Sequence, residues 1–223
     1  MKSADPTIPN PAASAPHHRL EAVDLECRRG DRRLITHLNF GVDSKTLLHV
    51  RGPNGCGKTT LLRAMCGLFE PQEGEIRWNG EGIRKLGDEF RKEVLYLGHL
   101  NGIKNELTAL ENLRVGATLD GDRVEEDQVW YALKRIGLAG FEDLPTKVLS
   151  QGQKKRVALS RLLLSSAPLW ILDEPFVALD VGAVELLQAL IAEHVEQGGM
   201  AVITTHQEVA LTSGQIQVLD LGG

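Results

Sequence analysis

From about residue 20 the chain alternates between short stretches in which every second position is apolar and longer stretches with helical spacing. Leu20 to Glu26 alternates apolar and polar, as a half-buried strand does. Leu34 to Val42, Leu47 to Val50, Gly74 to Trp78 and Val94 to Leu97 read as further short strands. Glycines interrupt the pattern from Gly52 to Thr60, and Leu61 to Leu68 has the spacing of a helix. Residues 108–165 look mostly helical, with breaks near Gly121, Gly137, Gly140 and Pro145. Leu169 to Leu172 is a continuous apolar run, which suits a strand buried on both faces. Val184 to Val195 reads as a helix, and Ala201 to Thr204 and Ile216 to Leu219 as strands. Strands at both ends with helices between predict an α/β sheet interrupted by an inserted helical block, roughly residues 100–165.

Residues 1–18 lack this periodicity and hold four of the nine prolines, so an unstructured tail is expected there, with a docking segment as its functional alternative. The tail has no apolar segment of the kind a secretory signal needs. Residues 19–223 are expected to form a single domain, with no internal repeat and no room for a second unit.

Composition narrows the classes of function. Basic residues number 25 against 30 acidic, giving a net charge of -5, with a pI near 5.8. Such a balance argues against duplex binding, which rests on clustered Lys and Arg. No apolar run of about 18 residues is present to span a bilayer. Cys27, Cys56 and Cys66 show neither a disulfide framework nor metal-ligand spacing, and a reducing compartment is expected.

The strongest local signal is Gly52-Pro53-Asn54-Gly55-Cys56-Gly57-Lys58-Thr59, which fits GxxxxGK[ST] between a predicted strand and a predicted helix. Glycines let successive N–H groups face one anion, and the helix beginning near Lys58 adds its positive end. Lys58 is expected to reach the β- and γ-phosphates, and the Thr59 hydroxyl to ligate Mg²⁺. Cys56 has a conceivable redox role at this helix N-terminus, against the plainer reading of a tolerated small side chain.

A second element is Leu169-Trp170-Ile171-Leu172-Asp173-Glu174, an apolar strand ending in two acids. Asp173 can hold Mg²⁺ beside Thr59, and Glu174 can orient and deprotonate a water. Taken alone, the pair would also suit a solvated acidic turn. A third element is Leu149-Ser150-Gln151-Gly152-Gln153, opening a helix whose first turn carries Lys154, Lys155 and Arg156. Free N–H groups there suit a phosphate, and cations near a helix start oppose its dipole, which hints at an external anion. An ordinary Ser cap with a solvated basic face is the alternative.

These three elements, followed by Val177-Ala178-Leu179-Asp180 and Thr204-Thr205-His206, resemble the nucleotide-binding domain of ABC transporters over residues 20 to about 220. The resemblance implies a P-loop NTPase core with an antiparallel β subdomain and an inserted helical subdomain. It implies ATP and Mg²⁺ as cofactors, with Gly52, Pro53, Asn54, Gly55, Cys56, Gly57, Lys58, Thr59 and Thr60 holding the phosphates. Thr59 and Asp173 would hold the metal, and Glu174 would be the general base. Ser150, Gln151, Gly152 and Gln153 would contact the γ-phosphate held by the other subunit of a homodimer. Asp180 would belong to the loop beside it, and His206 would stand near the γ-phosphate.

The match narrows further. Tyr96-Leu97-Gly98-His99, Gly102-Ile103-Lys104, Leu107 to Leu113, Ala139 to Asp143 and Leu172 to Phe176 together resemble the ATPase subunit of the cytochrome c maturation transporter. That resemblance implies a role in haem export or in releasing a haem-loaded chaperone. It places the chain against integral-membrane subunits on the cytoplasmic face of a bacterial inner membrane. Direct haem binding is not expected, because none of the seven His sits in a CxxCH or Cys-Pro pattern.

Departures from the family pattern are also visible. His99 stands where a glutamine is usual, and its charge depends on pH. Gln151 and Val177 replace smaller or hydroxylated residues. No aromatic side chain lies near Arg28-Arg29, where the family often stacks adenine, so a guanidinium plane would have to serve and base selectivity is in doubt. Three other readings stay open. They are the ATPase of another ABC transporter, a soluble ABC-type ATPase acting on nucleic acid or ribosomes, and a small kinase. The second would usually carry a basic extension, and the third would not need Ser150 to Gln153.

Overall fold

Two sheets divide the strands. The computed structural model describes residues 17–205 and 214–222. Most of the expected tail, and His206, therefore lie outside the described residues. In chain order the elements are β1 (Arg19–Arg29), β2 (Arg32–Asp43), β3 (Thr46–Arg51), α1 (Lys58–Met65), β4 (Glu73–Trp78), β5 (Glu81–Gly82), α2 (Ile83–Leu86), α3 (Asp88–Lys92) and β6 (Val94–Leu97). There follow α4 (Ala109–Asp120), α5 (Glu126–Arg135), α6 (Gln151–Leu159), β7 (Leu169–Asp173), α7 (Val181–Glu196), β8 (Met200–Thr204) and β9 (Gln215–Asp220). One sheet is antiparallel, in the order β2-β1-β4-β5, and the other is parallel, in the order β6-β7-β8-β3-β9.

The central parallel strands β3, β7 and β8 are buried on both faces, which is why β7 and β8 read as apolar runs, whereas the edge strand β9 is largely exposed. Alternate residues serve two separate cores. Leu169, Ile171, Met200 and Val202 pack with α1 and the antiparallel sheet, whereas Trp170, Leu172, Ala201 and Ile203 pack with α4, α5, α6 and α7. The sheet thus carries one layer on each side, and its strand ends are fixed between them.

The helical block is set by its caps. Thr108 and Glu111 form a capping box at the start of α4, and Gly121 ends that helix at φ +88°. The segment before α4 is pinned by Asn112, whose side chain accepts from Lys104 N at 2.8 Å and donates to Lys104 O at 3.0 Å. Thr146 Oγ1 donates to the same Lys104 carbonyl at 2.9 Å. The unusual Gly102–Leu113 stretch therefore has a structural role in holding this loop to the helical block.

Residues 81–92 hold elements that hydropathy did not announce. α2 and α3 each span little more than a turn, too short for a 3.6-residue period to show. α2 rests on Ile83 and Leu86 and α3 on Phe90, with local Lys85–Glu81 and Arg91–Asp88 pairs. The order also begins earlier than the expected tail boundary. His18 N donates to Ser44 Oγ at 2.8 Å, and its ring stacks on Trp78 with centroids 5.0 Å apart.

One buried group gives a pH dependence. The His194 ring stacks on Trp170 at 3.8 Å and 6°, and burial pushes its pKa down to about 4. The unfolded chain therefore binds a proton near pH 6.5 that the native state refuses until about pH 4. The associated stability is complete above pH 6.5 and is lost as the pH falls toward 4. At pH 5 the cost is about 2 kcal/mol. Urea midpoints of wild type and His194→Leu at pH 7.5 and 5 check this: the wild type should lose about 2 kcal/mol more than the variant between the two pH values. Equal losses would mean that His194 is protonated in the folded state.

Candidate active site

The site forms where β3, β7 and β8 end side by side. Register pairs Val50 with Thr204 and Thr204 with Asp173, so Thr204 stands between the phosphate loop and the acidic strand end. Its hydroxyl donates to Asp173 Oδ1 at 2.7 Å and accepts from Glu174 N at 2.9 Å. Asp173, only 2% exposed, takes its second bond on Oδ2 from Thr59 Oγ1 at 2.9 Å. That contact spans 114 residues and joins the loop to the acid strand.

The loop between β3 and α1 is shaped by its glycines. A Cβ at Gly52 would lie 2.2 Å from Leu221 O, so only glycine lets the loop pass the end of β9. Gly57 at φ +116° precedes the first turn of α1. Lys58 folds back into the loop, where Nζ donates to Gly52 O at 2.7 Å and Pro53 O at 3.2 Å. Asn54, Gly55, Gly57, Lys58, Thr59 and Thr60 line a cavity of about 410 Å³ with Asp173 and Glu174, and Arg29, Arg32 and Leu34 complete its wall. Gly52, Pro53 and Cys56 are not part of that wall. They shape the loop from behind, and Cys56 Sγ would sit 2.7 Å from a Cβ at Gly52.

Glu174 follows β7 at φ +50°, a left-handed conformation that a non-glycine residue adopts at a cost. Two bonds from its N–H, to Thr204 Oγ1 and Thr204 O, hold it there. Behind it lies Lys155, a buried cation whose Nζ reaches Glu174 O at 3.5 Å. Burial lowers the Lys155 pKa, and the charges of Asp173 and Glu174 oppose that fall. Lys155, Ala158, Leu159 and Leu162 are spaced i, i+3, i+4 and i+7 and are all buried, so helical spacing carried the signal that places this lysine inside.

The basic side chains at the start of α6 find partners within the chain. Lys154 Nζ donates to Asn105 Oδ1 at 3.0 Å, and Arg156 donates to Ile136 O at 2.9 Å and pairs with Asp180. Ser150 caps α6, accepting from Gln153 N at 3.2 Å while Gln153 Oε1 accepts from Ser150 N at 2.8 Å. Asp180 caps α7 through Ala183 N at 2.9 Å, and this bond, with Arg156 second, holds its carboxyl below the usual range. Ser150, Gln151, Gly152, Gln153 and Asp180 all lie outside the cavity wall. Gly152 nevertheless faces Ala178 O, 3.3 Å from where a Cβ would stand, so these two loops form one surface. His99 is exposed just past β6 and is not part of the wall either.

The architecture and the site have counterparts among known proteins. The family model for ABC transporters matches residues 35–177. The cytochrome c biogenesis ATP-binding export protein CcmA of Dechloromonas aromatica is 55% identical over 203 residues, 91% of this chain and 100% of that protein. The chain belongs to this family of ABC transporter ATP-binding proteins. The Haemophilus influenzae protein of the same name is 48% identical over 92% of this chain and 95% of its own length. Among solved structures, an ATP-binding subunit of an ABC transporter is 27% identical, with a TM-score of 0.80 over 92% of this chain and 88% of that one. A dimeric ATP-binding cassette in a post-hydrolysis state, bound to ADP and Pi, shares the fold at 23% identity and a TM-score of 0.79, covering 92% of this chain and 97% of that one. The family, and the narrower resemblance read from Tyr96 to Leu113 and Ala139 to Asp143, agree with these relatives.

Proposed function

We propose that this chain is the ATP-hydrolysing subunit of an ABC transporter complex in c-type cytochrome biogenesis. It would sit peripherally on the cytoplasmic face of a bacterial inner membrane. The observation that carries the reading is the Thr59–Asp173 bond at 2.9 Å, which closes the phosphate loop against the acid strand with Glu174 in the same cavity. The loop N–H groups and Lys58 would cradle the triphosphate. Thr59 and Asp173 offer two hard oxygens, and no cluster of three or more metal-ligating side chains exists among the described residues. That sparse set fits Mg²⁺, which takes one or two protein oxygens and completes its shell with water and phosphate. Mg²⁺ would neutralise charge developing on the phosphates. Glu174 would accept the proton of the water that attacks the γ-phosphorus, as the bond to the leaving ADP oxygen breaks.

A second copy would present Ser150, Gln151, Gly152 and Gln153, with Asp180 beside them, to the nucleotide held by the first. The α6 N-terminus and the Ala178–Asp180 loop supply one continuous surface for this. His206 and His99 are the proposed sensors of the γ-phosphate and of the coupling movement. Export needs a membrane path, and no helix among the described residues is long and apolar enough to cross a membrane. The path would belong to integral-membrane partners. They would dock on the helical block, where Leu100 and Leu119 are 84% and 79% exposed beside a hollow lined by Ile103, Leu113 and Val115. Nucleic acid is not a proposed partner, and haem is not a proposed ligand of this chain.

Deleting the gene from a cell in which it is the sole copy tests the pathway. Mature c-type cytochromes should disappear while b-type cytochromes keep their haem, and the wild-type gene should restore them. Normal c-type cytochromes in the deletion strain would send the reading back to another ABC transporter.

A further inference from the structure

Glu174 is clamped through its main chain from two sides. Its N–H donates to Thr204 Oγ1 and Thr204 O at the end of β8, at 2.9 and 3.2 Å. Its carbonyl accepts from Val177 N at 3.4 Å and from Lys155 Nζ, on α6, at 3.5 Å. The segment that follows is tied to the same helix at two further points. A Cβ at Gly152 would lie 3.3 Å from Ala178 O, and Arg156 pairs with Asp180. Glu174 at φ +50° and Ala178 at φ +65° are both left-handed, and non-glycine residues stay there only where their neighbours over-determine the path. α6 is one of the mounts that does so.

Lys155 is the odd member of that mount. It is 7% exposed, and no other Lys or Arg among the described residues is buried. Among the described residues its ammonium makes this one long hydrogen bond, out of the three it can donate. Burial lowers its pKa more than the charges of Asp173 and Glu174 raise it, so the cation costs folding stability instead of adding to it. A methionine would fill the space without that cost. Stability therefore does not account for a lysine here, and the carbonyl that it touches does.

Resting on Glu174 as the base proposed above, we propose that Lys155 is a positioning residue, whose ammonium holds the Glu174 carbonyl and so keeps the carboxylate aimed into the cavity. With the N–H fixed by β8, rotation about φ would swing the carbonyl and the side chain together. A return from the left-handed region to the ordinary negative φ needs that rotation. Holding the carbonyl opposes it. Lys155 is not part of the cavity wall, so it acts on the base from behind and not on the nucleotide. The effect on rate can be large, because a displacement of about 1 Å at a reacting group can cost about a hundredfold.

Lys155→Met, which keeps most of the stem and removes the charge and the donors, tests this. Turnover is measured on the complex purified with its membrane partners, and the urea midpoint on the full chain. Turnover at saturating ATP should fall at least about tenfold with KM within about twofold of wild type. The urea midpoint should stay at or above that of wild type, since an ill-partnered buried charge has been removed. In a Glu174→Gln background the same substitution should change the residual turnover by less than about twofold, because the base it positions is no longer there. A loss of about tenfold that persists in that background would overturn the proposal, since Lys155 would then act on something other than Glu174. So would wild-type turnover in Lys155→Met, or a lowered midpoint with equal losses of turnover and ATP affinity, the mark of a packing residue. Wild-type turnover in Glu174→Gln alone would instead remove the base reading itself, a result distinct from these.

Discussion

Glu174→Gln is expected to lower ATP turnover by at least about a hundredfold while ATP affinity stays within about threefold of wild type. Glutamine keeps the shape and one carbonyl oxygen but cannot take a proton. The local backbone should not move. The φ of +50° at this position is held by two bonds from the main-chain N–H to Thr204, and neither uses the side chain. Asp173 keeps its bonds to Thr59 and Thr204 at 2.9 and 2.7 Å, so the loop remains closed against the strand. Phosphate release and equilibrium binding, measured on the same preparation, separate the two effects. A variant that binds ATP without hydrolysing it should also accumulate the dimer that places Ser150 and Gly152 of one copy over the nucleotide of the other. Light scattering should then show a dimer with ATP and a monomer with ADP. Parallel loss of binding and turnover would make Glu174 a phosphate ligand or a packing residue instead of the base.

The loop and the acid strand were legible because their signals are local. Gly52, Gly57 and Lys58 sit in one octapeptide whose spacing is itself the structure, and the Leu169–Asp173 strand is a single apolar run buried on both faces. The alternation from Leu20 read as a strand and the spacing between residues 108 and 165 as a helical block, and the structure sets these two parts on opposite sides of the parallel sheet. What the sequence hid depends on contacts made at long range. Thr204 becomes a site residue only because β8 lies between β3 and β7, a strand order that no local pattern encodes. Arg29, Arg32 and Leu34 reach the cavity because the antiparallel sheet folds over α1, and Arg28, one residue away, turns to Glu26. Lys154, Lys155 and Arg156 looked like a basic turn awaiting an anion. In the structure each also meets a different partner of its own chain, and one of them is buried. Charge along a helix start gives the sign of the field but not which neighbour will meet it.

Lys58→Ala is expected to weaken ATP binding by at least about thirtyfold, since a hydrogen bond to a charged group contributes about 1.5–3 kcal/mol and the lysine also carries the loop's one full positive charge. An ammonium has three donors. Two of them are already committed to Gly52 O and Pro53 O at 2.7 and 3.2 Å, which leaves the third for a phosphate oxygen. The side chain thus both shapes the loop and charges it. Alanine removes both functions, whereas Lys58→Gln keeps a donor without the charge and should recover only the shaping part. Tripolyphosphate should lose affinity alongside ATP in Lys58→Ala, because Lys58 meets the part of the ligand the two probes share. Thermal stability should change little, since Lys58 is half exposed and α1 starts from the Leu61 N to Gly57 O bond at 2.8 Å, which does not involve the side chain. Calorimetry of ATP and tripolyphosphate binding to the wild type and both variants measures the contrast. Unchanged ATP affinity in Lys58→Ala would remove the loop from the phosphate site.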